Sequence, residues 1–181
     1  REGRERRPPV ADRDDGVFRV LFVCSGNTCR SPLAAALAAR QVESGAPSRR
    51  IQVSSAGTGA WPGAPASDGS ARAAQRHGLD LSGHRASPLD GDAVRHADLI
   101  LVMAPHHLTA SERLGGAGKS HLLSAYAAGA GDPLAGDPVS DPFGGDDEVY
   151  EDTFRELDAL VARAVDRLVA DPDAPGEDHA G

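Results

Sequence analysis

Aromatic residues are scarce in this chain of 181 residues: Phe, Trp and Tyr together make up 4%. Any core must therefore be filled by Val, Leu, Ile and Ala, which the 40% hydrophobic fraction can supply. Cysteine is scarcer, with only Cys24 and Cys29. Two thiols this close in the chain cannot staple a domain, which excludes a disulfide scaffold and leads us to expect a reducing compartment. Long apolar runs are lacking as well, and none approaches the ~20 residues of a membrane-spanning helix. The Arg-rich start has no apolar stretch of the kind that makes a secretory leader, so the expected address is the cytoplasm. Positive charge is in deficit, and at a formal −8 the chain as a whole repels nucleic acid and anionic membrane. An anion would have to be held by a local pocket that overrides this field.

What is present is an alternation of short apolar runs and helical patterns. Residues 18–24 (FRVLFVC), 51–56 (IQVSSA) and 99–103 (LILVM) read as strands, and 121–123 as a weak fourth. Ser31 and Pro32 read as the cap and first position of an Ala-rich helix over about 32–43. Ser67 to His77 reads as a helix stopped by Gly78, and Pro105 to Arg113 as another. Tyr150, Phe154, Leu157, Val161, Ala164 and Leu168 recur at steps of four and three, the stripe of a final helix facing a core. The expected fold is α/β: three-layer and doubly wound, a four-stranded parallel sheet with helices on both faces. One domain is expected over 17–170, between charged, Pro-rich arms at 1–16 and 171–181 that read as disordered. In such sheets ligands bind beyond the carboxyl ends of the strands.

One segment lies at such an end and carries chemistry: residues 24 to 31, Cys-Ser-Gly-Asn-Thr-Cys-Arg-Ser. A strand that turns here into a helix start aims several backbone N–H groups at one point. Gly26 and Asn27 tolerate the unusual angles of such a nest. The result is a cradle for a tetrahedral anion. The helix start and Arg30 favour a thiolate at Cys24, and Ser31 can donate a hydrogen bond to it. Arg30 offers a planar fork for two oxygens of a phosphoryl group. Thiolate and fork together suit in-line attack on phosphorus through a cysteinyl phosphate. A lone cysteine at a strand end is ordinarily a small buried hydrophobe. The Gly-Asn turn, the arginine and the Ser-Pro start agree on the reactive reading instead.

The run VCSGNTCRSP resembles the low-molecular-weight protein tyrosine phosphatase family, and the likeness extends over about 18–168. Ser55-Ala56-Gly57-Thr58, Leu81-Ser82-Gly83-His84-Arg85-Ala86 and Asp141-Pro142-Phe143 are similar to further segments of that family, in the same order. Asp132, Asp137 and Asp141 all precede proline, and each reads on its own as a turn residue. The resemblance selects Asp141 as general acid and later as the base that activates water. It makes Trp61 and Phe143 the walls of a substrate slot, although a lone loop tryptophan also reads as a structural staple. It places Ser25, Gly26, Asn27, Thr28, Cys29 and Ser31 in the phosphate loop, with Ser55 and His84 supporting it. It implies no cofactor and no metal, and neither Cys24/Cys29 nor the pair His106 and His107 has convincing ligand spacing. Implied partners are phosphorylated proteins, with inorganic phosphate as product, acted on by a monomer. Cys29 is also expected to form a reversible disulfide with Cys24 that protects the nucleophile.

Within the resemblance, Thr28 and the run Asp141-Pro142-Phe143-Gly144-Gly145 are similar to the protein-arginine phosphatase branch, where much of the family carries Ile in place of the threonine. Ser25 and Ala104 depart from the family pattern, and the missing carboxylate at Ala104 implies weaker support for Arg30. Phosphotyrosine and phosphoarginine both remain open as substrates. So do two other roles on the same fold: a thiol-dependent arsenate reductase and an inactive phosphoprotein-binding module.

Overall fold

The computed structural model describes residues 15–45, 47 and 50–170. The arms expected over 1–16 and 171–181 lie outside these, apart from Asp15 and Gly16. The elements in chain order are β1 (Val17–Cys24), α1 (Arg30–Gly45), β2 (Arg50–Gly57), α2 (Asp68–Arg76), α3 (Gly91–His96), β3 (Leu99–Val102), α4 (Pro105–Ser111), β4 (Ser120–Leu122), α5 (Leu123–Ala127) and α6 (Asp147–Ala170). A wide π-type turn, Glu112–Gly116, follows α4.

The four strands form one parallel sheet in the order β2-β1-β3-β4. Successive side chains of a strand point to opposite faces, and both faces here are apolar. Val20, Phe22 and Cys24 of β1, with Leu99 and Leu101 of β3, join the cluster built on α1 and α6. Leu21, Val23, Ile100 and Val102 face the other way, onto Val94 of α3 and Leu108 of α4. This gives the expected three layers, and it explains why β1 and β3 read as continuous hydrophobic runs instead of alternating ones. The stripe of α6 is buried as its periodicity requires, from Tyr150 and Phe154 to Leu168.

The helix after β1 departs from expectation. It begins at Arg30, so Ser31 lies in its first turn and does not cap it. The Ser31 hydroxyl is occupied elsewhere, within the loop described below. α2 does match, with Ser67 Oγ accepting from Ser70 N and Gly78 following at φ +78°. The strand order reverses between β1 and β3. This opens a crevice at their carboxyl ends, where residues 24–31 lie.

Candidate active site

The segment from Cys24 to Ser31 leaves β1 and enters α1 around Asn27, the non-glycine residue of positive φ (+54°) among those described. Asn tolerates this region because its short amide can bond locally. Here the amide is buried and fully used. The Ser87 N–H reaches one of its terminal atoms at 2.9 Å. A backbone N–H can only donate, so that atom is Oδ1. Nδ2 then donates to Ser31 Oγ (2.8 Å) and Ser55 Oγ (2.9 Å). Behind it, His84 Nε2 donates to the Asn27 carbonyl at 2.6 Å. One residue thus ties the loop to α1, to β2 and to the segment that precedes α3.

Ser31 Oγ, having accepted from Asn27, has its own proton to give, and Cys24 Sγ lies 2.9 Å away. The Ala56 carbonyl, at 3.5 Å, is the other acceptor within reach of that hydroxyl, so the chain of contacts runs from the Asn27 amide through Ser31 to the sulfur at the end of β1. Among the described residues, the backbone N–H groups of Ser25, Gly26, Asn27, Thr28 and Cys29 find no acceptor. Unpaired buried amides are costly unless something anionic meets them.

Arg30 is 4% exposed. Its Nη1 donates to the Val139 carbonyl at 2.9 Å, its Nη2 lies 3.5 Å from Asp141 Oδ2, and its buried Nε has no partner. The Val139 N–H is in turn bonded to the Met103 carbonyl (2.8 Å). The end of β3 therefore positions the carbonyl that holds Arg30. A guanidinium held from one side, with a free donor, is ready to grip an anion.

Of the three Asp-Pro candidates, Asp141 is the one paired with the loop's arginine. Asp132 instead closes a turn by accepting from Leu134 N. Asp141 is half-exposed, and its Oδ1 accepts from Phe143 N at 3.1 Å, on a loop anchored by buried Pro142. Trp61 (81% exposed) and Phe143 (77%) stand among the few large hydrophobic side chains left in solvent. The Trp61 loop is fastened beside the cradle by Thr58 N to the Cys24 carbonyl (3.0 Å) and Gly59 N to the Ser25 carbonyl (2.9 Å). Both cysteines are free. The Cys29 thiol is buried against Ser67 Oγ (3.2 Å) and Tyr150 Oη (3.7 Å). Thr28, half-buried, places Oγ1 over Gly26, where an added Cβ would meet it at 3.5 Å.

Gly57 ends β2 directly opposite Cys24 in the ladder. A Cβ there would lie 2.5 Å from the Ser25 carbonyl oxygen and 2.8 Å from Asn27 N. Gly57→Ala is expected to lower stability by about 1–3 kcal/mol, because backbone must move to admit the methyl group. It should also weaken phosphate binding, since the loop is what moves. Urea unfolding and calorimetric phosphate titration check the two effects.

Three contributors to the site carry no mark in the sequence: the Ser87 N–H, the Val139 carbonyl and His107, whose Nε2 lies 2.8 Å from Ser25 Oγ. The first two are backbone groups, and the third is one member of a His-His pair at a helix start.

Comparison with known proteins agrees with this geometry. The family model described as low molecular weight phosphotyrosine protein phosphatase matches residues 19–173. A probable low molecular weight protein-tyrosine-phosphatase, EpsP, of Ralstonia solanacearum is 36% identical over 155 residues, 83% of this chain and 92% of that protein. A protein-arginine-phosphatase of Geobacillus stearothermophilus is 36% identical over 153 residues, 83% of this chain and 96% of its own. Among solved structures, the YwlE arginine phosphatase, as a cysteine-to-serine mutant with a phosphorylated active-site serine, superposes with a TM-score of 0.76 at 32% identity, covering 83% of this chain and 95% of that one.

Proposed function

Because the chain belongs to the low molecular weight phosphotyrosine protein phosphatase family, we propose that it hydrolyses phosphotyrosine and phosphoarginine side chains of proteins, with Cys24 as nucleophile, Arg30 as phosphoryl clamp and Asp141 as general acid and base. The observation that carries this reading is the convergence on one cradle of the Ser31-bonded Cys24 sulfur, the unpaired loop amides and the free Nε of Arg30.

In the first step the thiolate attacks phosphorus in line while the loop amides and Arg30 hold the equatorial oxygens. The bond to the leaving oxygen or nitrogen breaks, and Asp141 supplies the proton that the leaving group needs. In the second step Asp141, now a carboxylate, takes a proton from water as it attacks the cysteinyl phosphate. Inorganic phosphate leaves and the thiolate is restored. Trp61 and Phe143 offer ring faces to the side chain that carries the phosphoryl group. The supporting roles of Ser55 and His84 rest on their bonds to Asn27. This reading includes a monomer working in the cytoplasm without nucleic acid or membrane, supported by the net charge of −8 and the two free thiols.

The test compares kcat/KM of the wild type on a phosphotyrosine peptide and a phosphoarginine peptide, with phosphate release as readout. Turnover of both is expected, and release from neither would overturn the proposal. Thr28 is the residue to vary for preference. Its hydroxyl beside Gly26 gives the cradle a polar group near the bridging atom, and isoleucine would crowd that space. Thr28→Ile is expected to lower phosphoarginine turnover about tenfold more than phosphotyrosine turnover, as one lost hydrogen bond to a charged group would do. Equal losses on both substrates would refute the specificity role.

A further inference from the structure

His107 is the third residue of α4 and is wholly buried. Its ring lies against His106, centroids 4.0 Å apart and tilted by 50°. Burial first, and then the charges of His106 and Arg30, bring its pKa down to about 3. The imidazole therefore carries one proton at neutral pH, and its position can be argued. Nε2 is 2.8 Å from Ser25 Oγ, whereas buried Nδ1 has no partner. An orphaned N–H costs more than an orphaned lone pair. The proton is thus on Nε2, donated to Ser25 Oγ.

This fixes what Ser25 can do. Its oxygen accepts from His107, and among the described residues no other group bonds that hydroxyl. Its own proton remains to be given. Ser25 follows Cys24 directly and is half-buried at the cradle. An oxygen of a bound tetrahedral anion is the acceptor the cradle would bring to it.

We propose that His107 is a positioning residue of the phosphate loop: it holds the Ser25 hydroxyl as an additional donor to the bound phosphoryl oxygens, complementing the loop amides and Arg30. His107 touches no reacting atom and acts only through Ser25. The arrangement also fits the start of α4, where Ala104 provides no side-chain cap and hence no carboxylate that would draw a second proton onto the ring. The inference rests on the cradle being a phosphate site, as proposed above.

The test is a double-mutant cycle in the full chain, using wild type, Ser25→Ala, His107→Phe and the double variant. Two quantities are read: the Kd of inorganic phosphate by calorimetry, and kcat/KM for an aryl phosphate. Each single change is expected to weaken phosphate binding about tenfold, the worth of one hydrogen bond to a charged group. The double variant should be no weaker than either single one, because His107 has nothing to act on once Ser25 is gone. His107→Gln, which puts an amide donor at a similar reach, should recover most of the loss, a rescue that mere packing would not predict. Multiplying losses, about hundredfold in the double variant, would overturn the proposal. So would wild-type phosphate affinity in His107→Phe. If that variant has no cooperative urea transition, His107→Met takes its place in the cycle, since methionine adapts to irregular gaps. A coupled cycle in phosphate binding without peptide hydrolysis by the wild type would leave this inference standing and remove the functional proposal. Hydrolysis with an uncoupled cycle would do the reverse.

Discussion

Cys24→Ser is expected to stop phosphate release from both peptides, lowering kcat by roughly 10⁴-fold or more, while leaving inorganic phosphate bound. The two side chains differ by one atom, so the cradle keeps its shape. The chemistry does not survive the change, because an alcohol without an adjacent base is a far weaker nucleophile than a cysteine sulfur. Cys24 Sγ lies 2.9 Å from the Ser31 hydroxyl and beside the loop's unpaired amides, where a bound phosphoryl group would meet it. Among the described residues, the side chain's hydrogen-bond partner is the Ser31 hydroxyl, which is no base for an alcohol. Phosphate titration of the variant separates the two functions of the loop. Retained binding with lost turnover identifies the nucleophile, whereas retained turnover would place the nucleophile elsewhere.

Asp141→Asn comes next in size, and its signature is dependence on the leaving group. The carboxyl lies 3.5 Å from Arg30 and is half-exposed at the mouth of the cradle, on a loop stiffened by buried Pro142. A tyrosyl or guanidino leaving group departs poorly without a proton, and general-acid catalysis typically contributes 10²–10⁴-fold. Loss of about 10²–10³-fold in kcat is therefore expected on the phosphotyrosine peptide. On p-nitrophenyl phosphate, whose leaving group needs little protonation, the loss should be below about tenfold for the first step. Burst kinetics distinguish the two transfers, since the proposed mechanism also assigns water activation in the second step to this residue. Stability should change by no more than about 0.5 kcal/mol, as expected for an exposed position. Equal losses on both substrates would remove Asp141 from the role of acid.

Much of this architecture is legible in the sequence because it rests on local signals. β1 reads as apolar because both its faces are covered, and α6 reads as a stripe because one face is. The loop from Cys24 to Ser31 is contiguous, so its chemistry is written in one place. The two short helices α3 and α5 leave no periodic signal in the sequence, since six and five residues do not establish a period. α3 is recognisable only through its cap, Asp90 Oδ1 accepting from Ala93 N. Ser31 illustrates competition between roles. It has the composition of a helix cap, but its hydroxyl is engaged by Asn27 and Cys24, and the helix starts a residue earlier. His107 escapes sequence reasoning for another reason: its partner, Ser25, is 82 positions away. The pairing exists only because β3 lies beside β1, so that the start of α4 meets the start of the loop.

The outward placement of Trp61 and Phe143 bears on how such an enzyme changes over time. Rings 81% and 77% exposed are held by little except their own loops. They can be exchanged without disturbing Asn27, whose bonds reach only inward. Substitution of the two rings, with the backbones that carry Asp141 and fasten the Trp61 loop kept as they are, is therefore uncoupled from the buried network at the floor, and a lineage can vary what stacks at the rim one side chain at a time.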